Sequence, residues 1–348
     1  VSRHPTSEEA TRPARLLFVH AHPDDETLTT GVTMAACVSR GHDVHLLTCT
    51  LGEEGEVIPE LLSHLGSNRE DTLGHWRRAE LRASMSLLGV AHSVLGEDPV
   101  RGIASRYRDS GMAGTPSAEH PDAFVRADVG EAATMVAAHI RAVRPDVVVT
   151  YDEQGGYAHP DHIQTHRVTM AALFLLTGEA GAETEADADR TAVPVVYCIL
   201  TPQSWASQDR AWLRDNVALD DSALSNNSVL NDGVLTDRVA PASSNCVVLP
   251  QDAPYPPSVV SDEIVTHVVE EPALVEVQSR ALAQHASQVT VYEGYYALSN
   301  HIASRLSGRE GFARFDPVAG RLVPAAHGAP RHTGLLTESV LLNDQGSG

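Results

Sequence analysis

Leu16-Leu17-Phe18-Val19-His20-Ala21-His22-Pro23-Asp24-Asp25-Glu26 decides how this chain folds and where its chemistry sits. The first four residues are apolar without alternation, the pattern of a short strand buried on both faces. Beyond the stretch, Thr27 to Ser39 carry Leu28, Val32, Ala35, Ala36 and Val38 at helical spacing, with Asp24 or Asp25 as N-cap and Gly41 as stop. Val44 to Cys49 is a second apolar strand. Strand, helix, strand is a βαβ unit, whose two strands run parallel. The fold class that follows is α/β: a Rossmann-like, mostly parallel sheet flanked by helices. In such open sheets the active site lies at the C-terminal ends of the strands. An imidazole and two adjacent carboxylates therefore stand where a site is expected.

Later segments continue the alternation. A helix is expected from His75 to Leu88, with Ala79, Leu81, Met85 and Leu88 on one face, and a short strand over Ser93 to Leu95. Arg106 to Thr115 reads as a loop, Val129 to Val143 as an amphipathic helix and Val147 to Tyr151 as a strand. His162 to Leu176 reads as a helix, Val193 to Leu200 as a strand and Glu271 to His285 as a late helix. Gly178 to Arg190 is expected as a surface loop, and Asp215 to Pro257 as part of an insertion with little regular structure. One domain is expected over residues 14–305, with the insertion near 205–260 and loosely held tails over 1–13 and 307–348.

Composition narrows the partners. The 348 residues are 42% apolar, an ordinary globular value, and no apolar run is long enough to span a membrane. A net charge of −21 argues against nucleic acid and anionic membrane as partners. Val1 to Arg12 are polar and lack the apolar core of a secretory signal, so a cytoplasmic protein is expected. Lysine is absent, which excludes Schiff-base and P-loop lysine chemistry. Cys37, Cys49, Cys198 and Cys246 form no C-x-x-C pair and read as structural thiols.

The opening cluster supplies one imidazole and one carboxylate as two ligands of a zinc-type site, leaving the neighbouring carboxylate free as a base. A further imidazole is offered by Tyr157-Ala158-His159-Pro160-Asp161-His162, directly after the strand Val147 to Tyr151. Pro160 suits the first position of a helix, and His159 and His162, three apart, share a face on a helical turn. Asp161 points elsewhere and could hold an imidazole by hydrogen bond. Both clusters follow strands of one parallel sheet, so topology brings them to the same edge.

His20 to Glu26 and Tyr157 to His162 resemble the A-H-P-D-D-E and H-P-D-H signatures of the PIG-L/LmbE-like zinc N-deacetylases. Within that family the chain is most similar to the mycothiol-pathway deacetylases acting on N-acetylglucosaminyl-inositol. Thr48 to Ile58, Tyr107 to Thr115, Val147 to Asp152 and Ala283 to Val289 look similar as well. The resemblance implies His22, Asp25 and His162 as ligands of one Zn2+, with Fe2+ an alternative for such a donor set. It implies Asp24 as general base, and His159, held by Asp161, with Tyr157 as donors to the oxyanion. It further implies Arg77, Asp109 and Met112 as contacts to a small sugar-inositol substrate. His20 falls outside the implied set.

Three competing readings differ from this one. A mycothiol S-conjugate amidase shares both metal motifs, but the lysine expected after its first motif is replaced here by Thr27-Leu28-Thr29-Thr30-Gly31. A nucleotide-binding module would need a glycine-rich first turn, where this chain has His-Pro-Asp-Asp, and two aspartates at a helix N-terminus repel pyrophosphate. A non-catalytic metal protein would not need both Asp24 and His159.

Overall fold

Leu16 and Phe18 of strand β1 (Arg15–His20) pack into one hydrophobic cluster, Leu17 and Val19 into another, and all four are fully buried. That two-faced burial is why the run lacks alternation. The computed structural model describes residues 12–180, 193–217, 246–325 and 328–336. After β1 come α1 (Asp25–Ser39), β2 (Asp43–Thr48), α2 (Leu73–Leu88), β3 (Ala91–Val94), α3 (Val129–Val143) and β4 (Val147–Tyr151). A short helical turn, α4 (Gly155–Ala158), leads into α5 (Pro160–Ala180) and then β5 (Val195–Ile199). Next are β6 (Thr201–Pro202), α6 (Gln203–Asn216), β7 (Val259–Val260), β8 (His267–Glu270) and α7 (Val275–Leu282). The chain closes with β9 (Thr290–Tyr292), β10 (Tyr295–Ala297), β11 (Ala303–Arg305), β12 (Arg309–Asp316), β13 (Arg321–Leu322) and β14 (His332–Thr333).

The central sheet runs β3-β2-β1-β4-β5-β12-β8-β14, with β13 paired to β12. From β3 to β5 every pairing is parallel, and β12 runs antiparallel to β5, β8 and β13. Strand order reverses at β1, which has β2 on one side and β4 on the other. The crevice between the carboxyl ends of β1 and β4 is therefore the place for a ligand. Helices α1, α2 and α7 pack together, as do α3 and α5. All four cysteines are buried and free, and no described helix is long and apolar enough to cross a membrane.

The expected elements form with small shifts at their ends. The late helix is shorter than expected, because Pro272 to Leu274 makes a 3-10 turn before α7 starts. Helix α5 runs to Ala180, beyond the expected stop at Leu176. Of the expected insertion, residues 218–245 lie outside the described residues. Its described flanks are ordered: α6 packs on β11, and β6 pairs with β7. Most of the expected loop from Gly178 to Arg190 also lies outside the description.

The expectation of a loose tail beyond 307 is corrected. Strand β12 lies between β5 and β8, with Phe312 and Ala313 fully buried, so the sheet depends on residues outside the expected 14–305 domain. Arg309, Glu310 and Gly311 masked this strand, yet two of them have interior roles. A Cβ at Gly311 would stand 2.5 Å from the Leu200 carbonyl oxygen, so only glycine lets the two backbones approach. Glu310 is buried and accepts the Val32 and Thr33 N–H groups at 2.8 Å each and the Thr33 hydroxyl at 2.5 Å.

Because both Glu310 oxygens accept, Glu310→Gln turns one acceptor into a donor facing a donor. The expected cost is about 1–3 kcal/mol, read as a lower urea midpoint; an unchanged midpoint would contradict this role.

Candidate metal centre

Strand β1 ends at His20, whose buried ring bonds Thr30 Oγ1 through Nε2 (3.0 Å) and the Tyr151 hydroxyl through Nδ1 (3.2 Å). Burial pushes its imidazole down to about 4, so it stays neutral and braces the strand end. His22 lies beyond it, with Nδ1 3.2 Å from Asp25 Oδ2. On its other side, Nε2 stands 3.2 Å from Asp161 Oδ2 and 3.4 Å from Asp109 Oδ1. Burial alone would lower its pKa, but the three carboxylates, Asp109 foremost, hold it well above the usual value.

Asp24 is the N-cap residue of α1, one of the two expected there, but its φ is 109° and its side chain makes no cap hydrogen bond. The carboxylate instead receives Arg77 Nη2 at 3.1 Å. Burial pushes this carboxyl up to about 7 against the pull of Arg77. Asp25, one residue on, is also buried, yet His162 and His22 hold it well below the usual carboxylate range. Two neighbouring carboxylates are thus set to opposite protonation tendencies, the arrangement that separates a base from a permanent anion.

The second cluster arrives from β4. Gly155 (φ +63°) and Gly156 (φ +72°) turn the chain tightly, and a Cβ at Gly155 would meet Ile163 N at 2.7 Å and His162 Cβ at 2.8 Å. Pro160 starts α5, so His159 lies just outside the helix and His162 in its first turn. The His162 ring stacks on Tyr151, with centroids 4.2 Å apart and planes at 14°. Tyr151 is itself fixed by the Ala21 N–H, which donates to its hydroxyl at 3.0 Å. Tyr157 is 52% exposed and sets its ring edge against His162 at 5.0 Å.

These residues fit a cation. His162 is buried, yet neither ring nitrogen has a hydrogen-bond partner; its Nε2 lies 3.2 Å from Asp25 Oδ2, the oxygen that also faces His22 Nδ1. Donor atoms of His22, His159 and His162 all fall within 4.8 Å of one another, as do those of His22, Asp109 and Asp161. Buried imidazole nitrogens without partners, beside a carboxylate held ionised, make a donor set that a divalent metal would satisfy. His22 and His162, two of the ligands the resemblance implies, both face the third, Asp25, at Oδ2, and His159 is a further nitrogen nearby.

Comparison with known proteins agrees with the geometry. Residues 17–173, which span both clusters, match the family model described as PIG-L, GlcNAc-PI de-N-acetylase. A Thermomonospora curvata protein named 1D-myo-inositol 2-acetamido-2-deoxy-alpha-D-glucopyranoside deacetylase is 42% identical, over 89% of this chain and 93% of its own. A Catenulispora acidiphila protein of the same name, numbered 2, is 39% identical over 93% of this chain and 96% of its own. The chain belongs to the PIG-L deacetylase family.

Other expected residues of this PIG-L chain take different places. Asp161 does not hold His159: its carboxylate faces His22 and accepts the Ser110 N–H at 2.8 Å, while its own N–H donates to His159 Nδ1 at 3.2 Å. Burial, with His22 and His162 nearby, pushes His159 down to about 3, which favours its neutral form. Arg77 is buried; besides Asp24, its guanidinium donates to Gly52 O (2.7 Å) and Pro23 O (2.5 Å), and its Nε has no partner. Gly52 makes room for it, since a Cβ there would stand 1.9 Å from Arg77 Nη1. Asp109 is buried and accepts the Gly111 N–H at 2.8 Å. Met112 is 51% exposed on its loop.

Sequence reasoning missed Tyr151, Glu26 and His285. All three fall in segments that resemble the family but were given no role there, and the pairing of Glu26 with His285 across 259 positions carried no local signal.

Gly155→Ala is expected to lose at least about 1–2 kcal/mol of stability from its left-handed φ alone, with further loss from the clash against Ile163. Chemical denaturation checks the first effect, and weakened metal retention would report displacement of His162.

Proposed function

We propose that this PIG-L deacetylase hydrolyses the acetamide of 1D-myo-inositol 2-acetamido-2-deoxy-α-D-glucopyranoside. The products are acetate and the free glucosaminyl-inositol amine, a step of mycothiol biosynthesis carried out in the cytoplasm. The near full-length match to relatives bearing that activity in their names carries the reading. The metal would be zinc, with iron(II) compatible, held by His22, Asp25 and His162. Once bound, it would acidify a water and polarise the amide carbonyl.

The chain's own residues account for the rest. Asp161 and Asp109 take the Nε2–H of His22, which leaves the Nδ1 lone pair for the metal. Asp24 removes a proton from the attacking water and returns it to the leaving amine. His159 accepts a backbone N–H at Nδ1, so its Nε2–H is left to donate a hydrogen bond to the carbonyl oxygen as negative charge develops. The Tyr157 hydroxyl, from the half-open side, is a second donor, and such donors are worth about 2.7–4 kcal/mol each. Met112, half-exposed on its loop, would pack against the sugar.

Amine release from N-acetylglucosaminyl-inositol, abolished by chelator and restored by added zinc, is the direct test. His162→Ala is expected to lose metal, whereas Asp24→Asn keeps it and loses turnover; full turnover in a metal-replete Asp24→Asn enzyme would remove Asp24 as base.

The pH profile follows from burial. Asp24, pushed up to about 7, is inactive as a base when protonated. Activity should therefore climb with pH and level off at or below about 7, because a bound cation favours the ionised form and moves the limb downward. A kcat/KM profile that falls as pH rises from 5 to 7 would contradict the assignment.

A further inference from the structure

Beneath Asp24 lies a buried pair that the hydrolysis leaves unassigned. Glu26 and His285 are both fully buried, and His285 Nε2 meets Glu26 Oε1 at 3.0 Å. The other oxygen, Oε2, accepts the backbone N–H of Asp24 at 3.0 Å. Oε1 also accepts the Thr27 hydroxyl at 2.7 Å, so the carboxylate is fixed at both ends. His285 follows α7 on a segment pinned by Glu80, which accepts the Ser287 N–H at 2.9 Å and its hydroxyl at 2.7 Å.

The backbone that Glu26 grips is strained. At φ 109° and ψ −35°, Asp24 occupies a region that residues with a Cβ rarely adopt. Aspartate at an N-cap ordinarily turns its carboxylate onto the helix's own N–H groups. Here the Asp24 N–H is drawn onto Glu26, and the side chain is delivered to Arg77. Burying an ion pair costs desolvation, so the pair is poorly explained as a stabilising contact alone.

We propose that Glu26, held by His285, is a positioning residue for Asp24: it clamps the strained backbone so that the carboxylate faces the reacting water instead of capping α1. The inference rests on Asp24 being the base of the deacetylase reaction. The backbone clamp itself is measurable without turnover.

Two readouts test it on the full, metal-loaded chain. Glu26→Ala should lower kcat about 10- to 100-fold with KM and bound metal unchanged. Glu26→Gln, whose amide oxygen can still accept the Asp24 N–H, should recover much of that loss. For the second readout, Asp24→Gly and Asp24→Ala both lack the carboxylate and differ by one Cβ. The glycine variant should have the higher urea midpoint, by roughly 0.3–1 M, because it relieves the strained φ. With Glu26→Ala added, the backbone relaxes and this gap should shrink or reverse.

A gap that survives unchanged overturns the proposal, as does a Glu26→Ala enzyme with undiminished kcat. Loss of metal in Glu26→Ala with the gap unchanged assigns the pair a structural role only, which also overturns it. If the wild-type chain releases no amine, the deacetylase reading fails, and the midpoints still decide the clamp. Should Glu26→Ala not fold, His285→Gln, which shortens the reach to Glu26, carries the same two comparisons.

Discussion

Asp24, Asp25, Glu26, Asp109 and Asp161 are among the carboxylates buried around the ends of β1 and β4, and the rest of the centre answers to that crowding. Like charges in a low-dielectric interior repel strongly, and each must be compensated or neutralised. Asp25 and Asp109 are compensated by imidazoles and stay ionised well below the usual range. Glu26 is compensated by His285. Asp24, beside Asp25 and with only one guanidinium facing it, is the member pushed upward by burial. An acceptor of protons is thereby separated from the permanent anions next to it. The same excess of negative charge, with two unbonded nitrogens on His162, makes a divalent cation the natural complement.

The frame that holds this crowd is stiff on its floor and open at its rim. His22, Asp25 and His162 hang from a strand end, a helix start and the first turn of another helix. Asp25 and His162 are fixed by the helices they begin, and His22, just past the strand, is tied by its N–H to Asp25 Oδ2 at 2.9 Å. Tyr151 links the two clusters, with its ring on His162 and its hydroxyl on Ala21 and His20. Tyr157 and Met112, the half-open residues of the proposed site, lie on connecting segments. A rigid floor with adaptable groups above it suits a reaction in which metal and base must not move while a polar substrate enters and leaves.

Much of this was legible in the sequence because the signals were local. Leu16 to Val19, the helical spacing from Leu28 to Val38 and the run from Val147 to Tyr151 each declare an element within ten or so residues. The two His/Asp clusters follow strands of one sheet, so their meeting is a matter of topology. Strand β12 was not legible, since Glu310 and Gly311 interrupt its apolar pattern for reasons that lie on α1 and at Leu200. Arg77 was expected at a ligand and is committed to Pro23, Gly52 and Asp24, contacts that no local pattern announces.

The sequence by itself determined the α/β class, the edge of the sheet that carries the chemistry and the residue types gathered there. Strand periodicity, turn chemistry and donor spacing are properties of short segments, and short segments carry them intact. Only the tertiary structure decided which way each carboxylate turns. Asp161 goes to His22 and not to His159, Asp24 turns away from the helix it would otherwise cap, and Glu26 is held by a histidine 259 positions away. Those choices depend on which neighbours exclude water and which supply the opposite charge. Neither exists until the chain has closed around them.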